Sequence, residues 1–277
     1  MLSFSQVDVF TDEFLLGNPV AVVHGADAVT EDQMAAVARW TNLSETTFLL
    51  TPEDPAADYR LRIFTPAREL PFAGHPTLGT ARAWLSAGGT PKAEGRLVQE
   101  CGAGLVQLRH GPGRLAFAAP PLLRDGPVDP ADLEQIALGL HVPVEEIRDA
   151  RWADNGPGWI GVLLADAQTV LELEPDHAVL SRVGNIGVVG AFPPGSETDY
   201  ELRAFVSRDG ATEDPVTGSL NASVAQWLFA SGRVSSSYVA SQGTRLGRRG
   251  RVYVEQIDGQ VWVGGDTVVG VSGSIAL

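Results

Sequence analysis

The 277-residue chain contains one cysteine, Cys101. No internal disulfide can form and no cysteine cluster can hold a metal. Every mechanism that needs two thiols is excluded with them. Positive charge is also scarce, with Lys+Arg 20 against Asp+Glu 34, a net charge of −14 and a sequence pI near 4.7. So acidic a chain repels nucleic acid and anionic lipid, and neither is expected as a partner. No apolar run approaches the ~18 residues that span a membrane. The stretch from Met1 to Phe14 lacks the basic and then apolar pattern of a secretory signal, so the expected location is the cytoplasm.

Recognisable cofactor motifs are missing too. The histidines His24, His75, His110, His141 and His177 are scattered, with neither HExxH nor paired-ligand spacing, so no metal site is expected. Gly184-Asn-Ile-Gly187-Val-Val-Gly190 has the wrong spacing for a dinucleotide loop, and no GxxxxGK[ST] occurs. Neither Ser86 nor Ser272 lies in a full GxSxG elbow.

What the chain does have is a core-forming composition, 44% hydrophobic, broken by frequent punctuation from Gly 31 and Pro 18. Alternating segments such as Ser5–Phe10, Tyr59–Phe64, Leu115–Ala118 and Val252–Glu255 read as strands. Helices are expected over Glu31–Trp40, Pro76–Ser86, Asp132–Leu140 and Ser219–Ala230. The reading is α+β, with much antiparallel sheet and a few isolated helices. Pro120, Pro121, Pro127 and Pro130 suggest a linker over 120–130.

Similar segments recur on either side of those prolines. Tyr59-Arg-Leu-Arg-Ile-Phe64 returns as Tyr200-Glu-Leu-Arg-Ala-Phe205, an offset of 141. Trp84-Leu-Ser-Ala-Gly88 returns as Trp227-Leu-Phe-Ala-Ser-Gly232, and the hairpin through Gly113 returns through Gly259 at an offset of 146. The shared order of strand, polar loop, helix and hairpin favours a duplicated half over chance recurrence. The expected domains are 1–119 and 131–265, related by a pseudo-twofold axis, with 266–277 able to cross back to the first. A cleft between such halves is a favoured place for a small-molecule site.

The loops before the paired helices are the most unusual polar segments, Phe64–Thr77 and Phe205–Ser219. Each reaches a helix start through glycine, at Gly74–His75 and Gly218–Ser219. Unpaired N–H groups there would hold a carboxylate. Two ordinary helix starts would also fit, with Ser219 or Asp214 as the cap. Glu45 lies in Asn42-Leu-Ser-Glu-Thr-Thr-Phe48, where partial burial would suit a proton-transfer group. A plain exposed or capping glutamate is the alternative. His75 could serve as acid, base, orienting donor or cap. Asn18, in Gly17-Asn18-Pro19, reads as a turn residue able to hydrogen-bond.

Several long motifs resemble the phenazine-biosynthesis PhzF-like proteins, relatives of diaminopimelate epimerase. They are Val7–Phe10, Gly17–Val22, Asn42–Phe48, Arg62–Pro66, Glu69–Thr77, Glu213–Ser219 and Ser241-Gln-Gly243. The resemblance implies two similar domains, each a curved, mostly antiparallel sheet around a central helix, with the site between them. It implies Glu45 as the proton-transferring group, with His75 and Asp214 assisting, and Asn18, Gly74, Gly218 and Ser219 against the substrate. It further implies no cofactor or metal, a homodimer and a small anionic metabolite as substrate. The epimerase relatives place one cysteine on each loop. Cys101 lies on neither, which leaves an isomerisation by proton shift. Pro215-Val216 replaces Ala-Ala of the phenazine enzyme, which points to a different substrate. A racemase using Glu45 and Asp214, or an idle binding protein on the same fold, remain the alternatives.

Overall fold

The computed structural model describes residues 1–111, 114–207 and 212–277. Gly113 of the repeated hairpin and Arg208–Ala211 of the second polar loop lie outside them. The chain divides into two units, Met1–Ala118 with Gly264–Leu277, and Ala119–Val263. Elements are numbered along the chain.

The first unit runs β1 (Leu2–Val9), β2 (Asn18–Val23), α1 (Glu31–Thr41), β3 (Glu45–Leu50), β4 (Tyr59–Phe64), β5 (Glu69–Leu70), α2 (Gly74–Ser86), β6 (Arg96–Cys101), β7 (Gly104–His110) and β8 (Arg114–Ala118). The last strand, β16 (Gln260–Ile275), enters it from the second unit. Its strands pair in the order β1-β2-β3-β4-β6-β7-β8-β16, and β16 also pairs with β1, which closes an eight-stranded barrel. Closure removes the exposed edges that an open sheet would present. On the outside, α1 is held by a Thr30–Gln33 capping box and buries Met34, Val37 and Ala38 in a cluster with Phe48 and Phe64.

Helix α2 is buried among these strands over most of its length, from Gly74 to Ala81 and again at Ala83. Such a helix must be slim where it meets the sheet. At Gly79 an added Cβ would stand 2.3 Å from Val20 Cγ1 and 3.0 Å from Val9 Cγ2. Both valines are fully buried and β-branched, so neither can swing away.

The second unit runs β9 (Arg124–Pro127), α3 (Pro130–Leu140), β10 (Asp149–Asp154), β11 (Trp159–Leu163), α4 (Ala167–Glu172), α5 (His177–Leu180), β12 (Asn185–Ala191), β13 (Tyr200–Phe205), α6 (Gly218–Ala230), β14 (Ser237–Gln242) and β15 (Gly250–Ile257). Pairing from β10 to β15 alternates antiparallel, parallel, antiparallel, parallel, antiparallel. The series β1, β2, β3, β4, β6, β7 alternates in the same way. Helices α2 and α6 are both 13 residues long and occupy the same place in this order. The two units therefore share one topology.

The expected linker over 120–130 is replaced by structure. Strand β9 pairs with β10, Gln226 donates to the Pro120 carbonyl at 2.9 Å, and α3 begins at Pro130. Proline is tolerated here because β9 ends the strand series, where no further ladder bond is required. Four expected helices are present, and the short α4 and α5 add two that the sequence patterns do not signal.

The repeat also carries a matched pair of arginine clamps. Arg62 on β4 donates through Nε and Nη2 to both oxygens of Glu69, at 2.7 and 2.6 Å. Arg203 on β13 does the same to Glu213, at 2.9 and 2.8 Å. Each guanidinium also lies about 5 Å from a ring two residues on, 5.1 Å for Phe64 and 5.0 Å for Phe205. Each fork joins its strand to the segment leading into α2 or α6. Their burial differs, with side-chain exposures of 28% and 36% in the first pair and 5% and 7% in the second.

Two stability outcomes follow from this packing. Alanine at an unconstrained helical glycine stabilises by about 1 kcal/mol, but Gly79→Ala should destabilise by about 1–3 kcal/mol through overpacking. A urea midpoint above that of the parent protein would contradict the close contact. Glu213→Ala should cost about 3–5 kcal/mol because it strands a buried guanidinium. Glu69→Ala should cost about 1 kcal/mol or less at its more solvated position. Equal losses in paired denaturation curves would contradict this difference.

Candidate active site

In the first unit the starts of three elements meet. Strands β2 and β3 are parallel, so their starts, Asn18 and Glu45, lie at the same end of the barrel. The start of α2 comes to that end as well. His75, its second residue, places Nε2 3.2 Å from Glu45 Oε2, while its Nδ1 lies 3.4 Å from Asn18 Nδ2. The turn before Asn18 is tied down by Asp8, which is 2% exposed and accepts from the Gly17 amide at 3.2 Å. Glu45, His75, Asn18 and Gly74 therefore lie together, and Asp8 joins them as a residue the sequence reading did not single out. No spacing rule links Asp8 to Asn18, because their proximity is created by the β1–β2 pairing.

Burial decides the charge of this group. His75 is 4% exposed, and desolvation pushes its pKa down to about 3. A hydrogen bond from the ring to the Pro19 carbonyl works in the other direction without restoring the charge. The separation from Glu45 is that of an ion pair, but the imidazole is neutral at pH 7 and is not a counter-ion. Glu45 keeps 14% side-chain exposure, so it reaches solvent or a ligand while His75 stays inside.

The helix starts lack a cap from the residue before them. The residues preceding α2 and α6 are Ala73 and Thr217, and among the described residues neither makes a side-chain cap bond. Alanine cannot cap, and the Thr217 hydroxyl is turned to Asp214 Oδ2 instead.

In the second unit Asp214 bridges back to β13, its amide donating to the Ala204 carbonyl at 3.0 Å. Ser219 is held at the start of α6: its hydroxyl accepts from Trp159 Nε1 at 3.0 Å and its carbonyl from Asn155 Nδ2 at 2.9 Å. Gln242, fully buried on β14, bonds to Thr217, Asn221 and the Asp214 carbonyl. The sequence reading missed it as a site residue, although it stands in the quoted Ser241-Gln-Gly243 motif. Cys101 is remote in kind from all of this. It ends β6 at a hairpin, where Sγ lies 3.6 Å from the Gly104 carbonyl, and burial raises its pKa. Among the described residues no cluster of three or more His, Cys, Asp or Glu is arranged to hold a metal, and no helix is long and apolar enough to cross a membrane.

Similarity to known proteins extends over nearly the whole chain. The family model described as "Phenazine biosynthesis-like protein" matches residues 7–273. "Antisense-enhancing sequence 1" of Schizosaccharomyces pombe is 36% identical, covering 98% of this chain and 97% of that protein. The trans-2,3-dihydro-3-hydroxyanthranilate isomerase of Pseudomonas aeruginosa is 35% identical over 89% of this chain and 87% of its own. A crystal structure of a PhzF-family protein from Enterococcus faecalis superposes with a TM-score of 0.84 at 26% identity, covering 100% of this chain and 99% of the other. With motifs, topology and whole-length similarity in agreement, the chain belongs to the PhzF family of phenazine biosynthesis-like proteins, on the diaminopimelate epimerase-like fold.

Proposed function

We propose that this chain is a cofactor-independent isomerase that moves a proton within a small carboxylate-bearing metabolite, with Glu45 as the group that carries it. The observation that supports this most is Glu45 Oε2 at 3.2 Å from a buried, neutral His75 at an uncapped helix start. A carboxylate beside a cation is held in its ionised form, whereas beside a neutral imidazole it gains and loses a proton more readily.

In the proposed step Glu45 removes a proton from a carbon next to an unsaturated or carbonyl-bearing centre. The C–H electron pair becomes part of a shifted double bond, and the proton returns to another carbon on the same face. Atoms and electrons balance without a redox partner. Amides at Gly74 and Gly218, with Ser219, hold the substrate carboxylate and the developing negative charge. Asn18 fixes the His75 ring, and His75 and Asp214 orient the substrate or relay the second transfer. The single cysteine removes two-thiol epimerisation from consideration. The chain is proposed to work in the cytoplasm as a homodimer. The named substrate of the Pseudomonas relative is the first probe to try, with Pro215-Val216 as the reason to expect another.

Glu45→Gln keeps the shape and removes the base, so turnover of any substrate accepted by the parent protein should fall by about 10²–10⁴. Near-full turnover by the variant would remove Glu45 from the role. Solvent deuterium should enter the product in a Glu45-dependent way, which a binding protein would not cause. A racemase would yield the mirror form on a chiral column, whereas a proton shift yields a constitutional isomer.

His75 also sets an acid limit on stability. Its folded pKa of about 3 lies below the unfolded value of 6.5, so the unfolded chain binds the extra proton between these limits. Stability from this group is complete above about pH 6.5 and declines as the pH falls towards 3, by up to about 1.4 kcal/mol per unit. His75→Asn should therefore lose less stability than the parent protein between pH 7 and pH 4. Parallel pH slopes in urea denaturation would contradict the burial argument.

A further inference from the structure

The hydrogen bonds of Gln242 can be assigned a direction without seeing a hydrogen. Its Oε1 lies 3.0 Å from the Thr217 amide nitrogen and 2.9 Å from Asn221 Nδ2. A backbone N–H only donates, so the atom facing it must be the amide oxygen. The NH2 group then faces the Asp214 carbonyl at 3.1 Å and Thr217 Oγ1 at 3.0 Å. A carbonyl only accepts, which fixes the same orientation independently. The amide of Gln242 is fully used and fully buried.

This leaves Thr217 one choice. Its hydroxyl oxygen already accepts from Gln242, so its single proton points to Asp214 Oδ2, its other close partner. We infer that Gln242 is a positioning residue for Asp214: through Thr217 it aims a hydroxyl donor at Oδ2, which holds the carboxylate in one orientation and favours its ionised form. The chain of donors runs one way, from the Gln242 amide to the Thr217 hydroxyl to the carboxylate. Its neighbours hold the frame. The Asp214 amide is bonded to Ala204, and the adjacent Glu213 is engaged on both oxygens by Arg203. Arg203 in turn donates to the Val170 and Leu173 carbonyls, at 3.2 and 2.7 Å. The turn from 213 to 217 is thus anchored to β13, β14 and the end of α4.

The catalytic meaning of this orientation rests on the proposed role of Asp214, but the orientation itself does not. The test therefore reads the carboxyl directly. In protein labelled with 13C at aspartate carboxyl carbons, Asp214 is assigned by loss of its signal in Asp214→Asn, and its titration is followed by NMR. Thr217→Val removes the donor and keeps the shape. The pH midpoint of Asp214 should then move upward by at least about half a pH unit, because the ionised form loses a hydrogen bond. Thr217→Ser should restore it. Gln242→Met, which frees the Thr217 hydroxyl to turn, should move the midpoint in the same direction by a smaller amount. An unmoved midpoint in folded Thr217→Val, or a Ser variant that behaves like Val, would overturn the assignment. If Thr217→Val does not fold, an unmoved midpoint in Gln242→Met does so alone. Loss of the Glu45 role would show in turnover and leave these titrations unchanged.

Discussion

The candidate site depends on the removal of one imidazole from water. His75 sits at the start of a helix enclosed by a barrel, where the charged form of the ring is strongly penalised. Everything arranged around it follows from that burial. Asn18 supplies a polar neighbour for a ring that water cannot reach, and Asp8 holds the turn that brings Asn18 into place. Glu45 faces a neutral partner as a result. In a chain of net charge −14, this matters for anion binding as well. In the proposed mechanism the attraction comes from helix-start amides, since the histidine contributes no positive charge.

The duplication explains how one fold builds two polar centres with different chemistry. Both units use the same strand order, a 13-residue buried helix and an arginine–glutamate fork at the approach to that helix. The fork is solvated in one unit and buried in the other, so the same interaction has different energetic weight in each. At the helix starts the units diverge further. One presents His75 against Asn18 and Glu45, and the other presents Asp214 against Thr217 and Gln242. The shared scaffold fixes the backbone, and a few side chains choose the chemistry.

Much of this is legible in the sequence because its signals are local. Helices α2 and α6 are bounded by glycine and proline, and the repeated Tyr-x-Leu-Arg segments mark β4 and β13. Strands β12 and β14 give no such signal. Strand β12, Asn-Ile-Gly-Val-Val-Gly-Ala, is buried through six of its seven residues, so it does not alternate. Strand β14 buries Ser241 and Gln242, so it lacks the apolar alternation by which the other strands are read. Asp8 and Gln242 stand in quoted motifs, but their roles are not legible there because their partners lie 9 and 25 residues away, brought close by the β1–β2 pairing and by the packing of the α6 start on β14. The prolines at 120–130 follow the boundary between the units at Ala118 and Ala119, and β9 holds Pro127 because an edge strand accepts residues that a central strand rejects.

The most direct test of the account is the charge of His75. Ring-nitrogen NMR on 15N-histidine-labelled protein, assigned with His75→Asn, would be followed from about pH 7.5 down to about pH 5, a range that spans the ordinary histidine pKa. A neutral imidazole should persist through that range, with distinct protonated and unprotonated nitrogens. A ring that becomes imidazolium near its ordinary value of 6.5 would make Glu45 and His75 an ion pair and contradict the central claim.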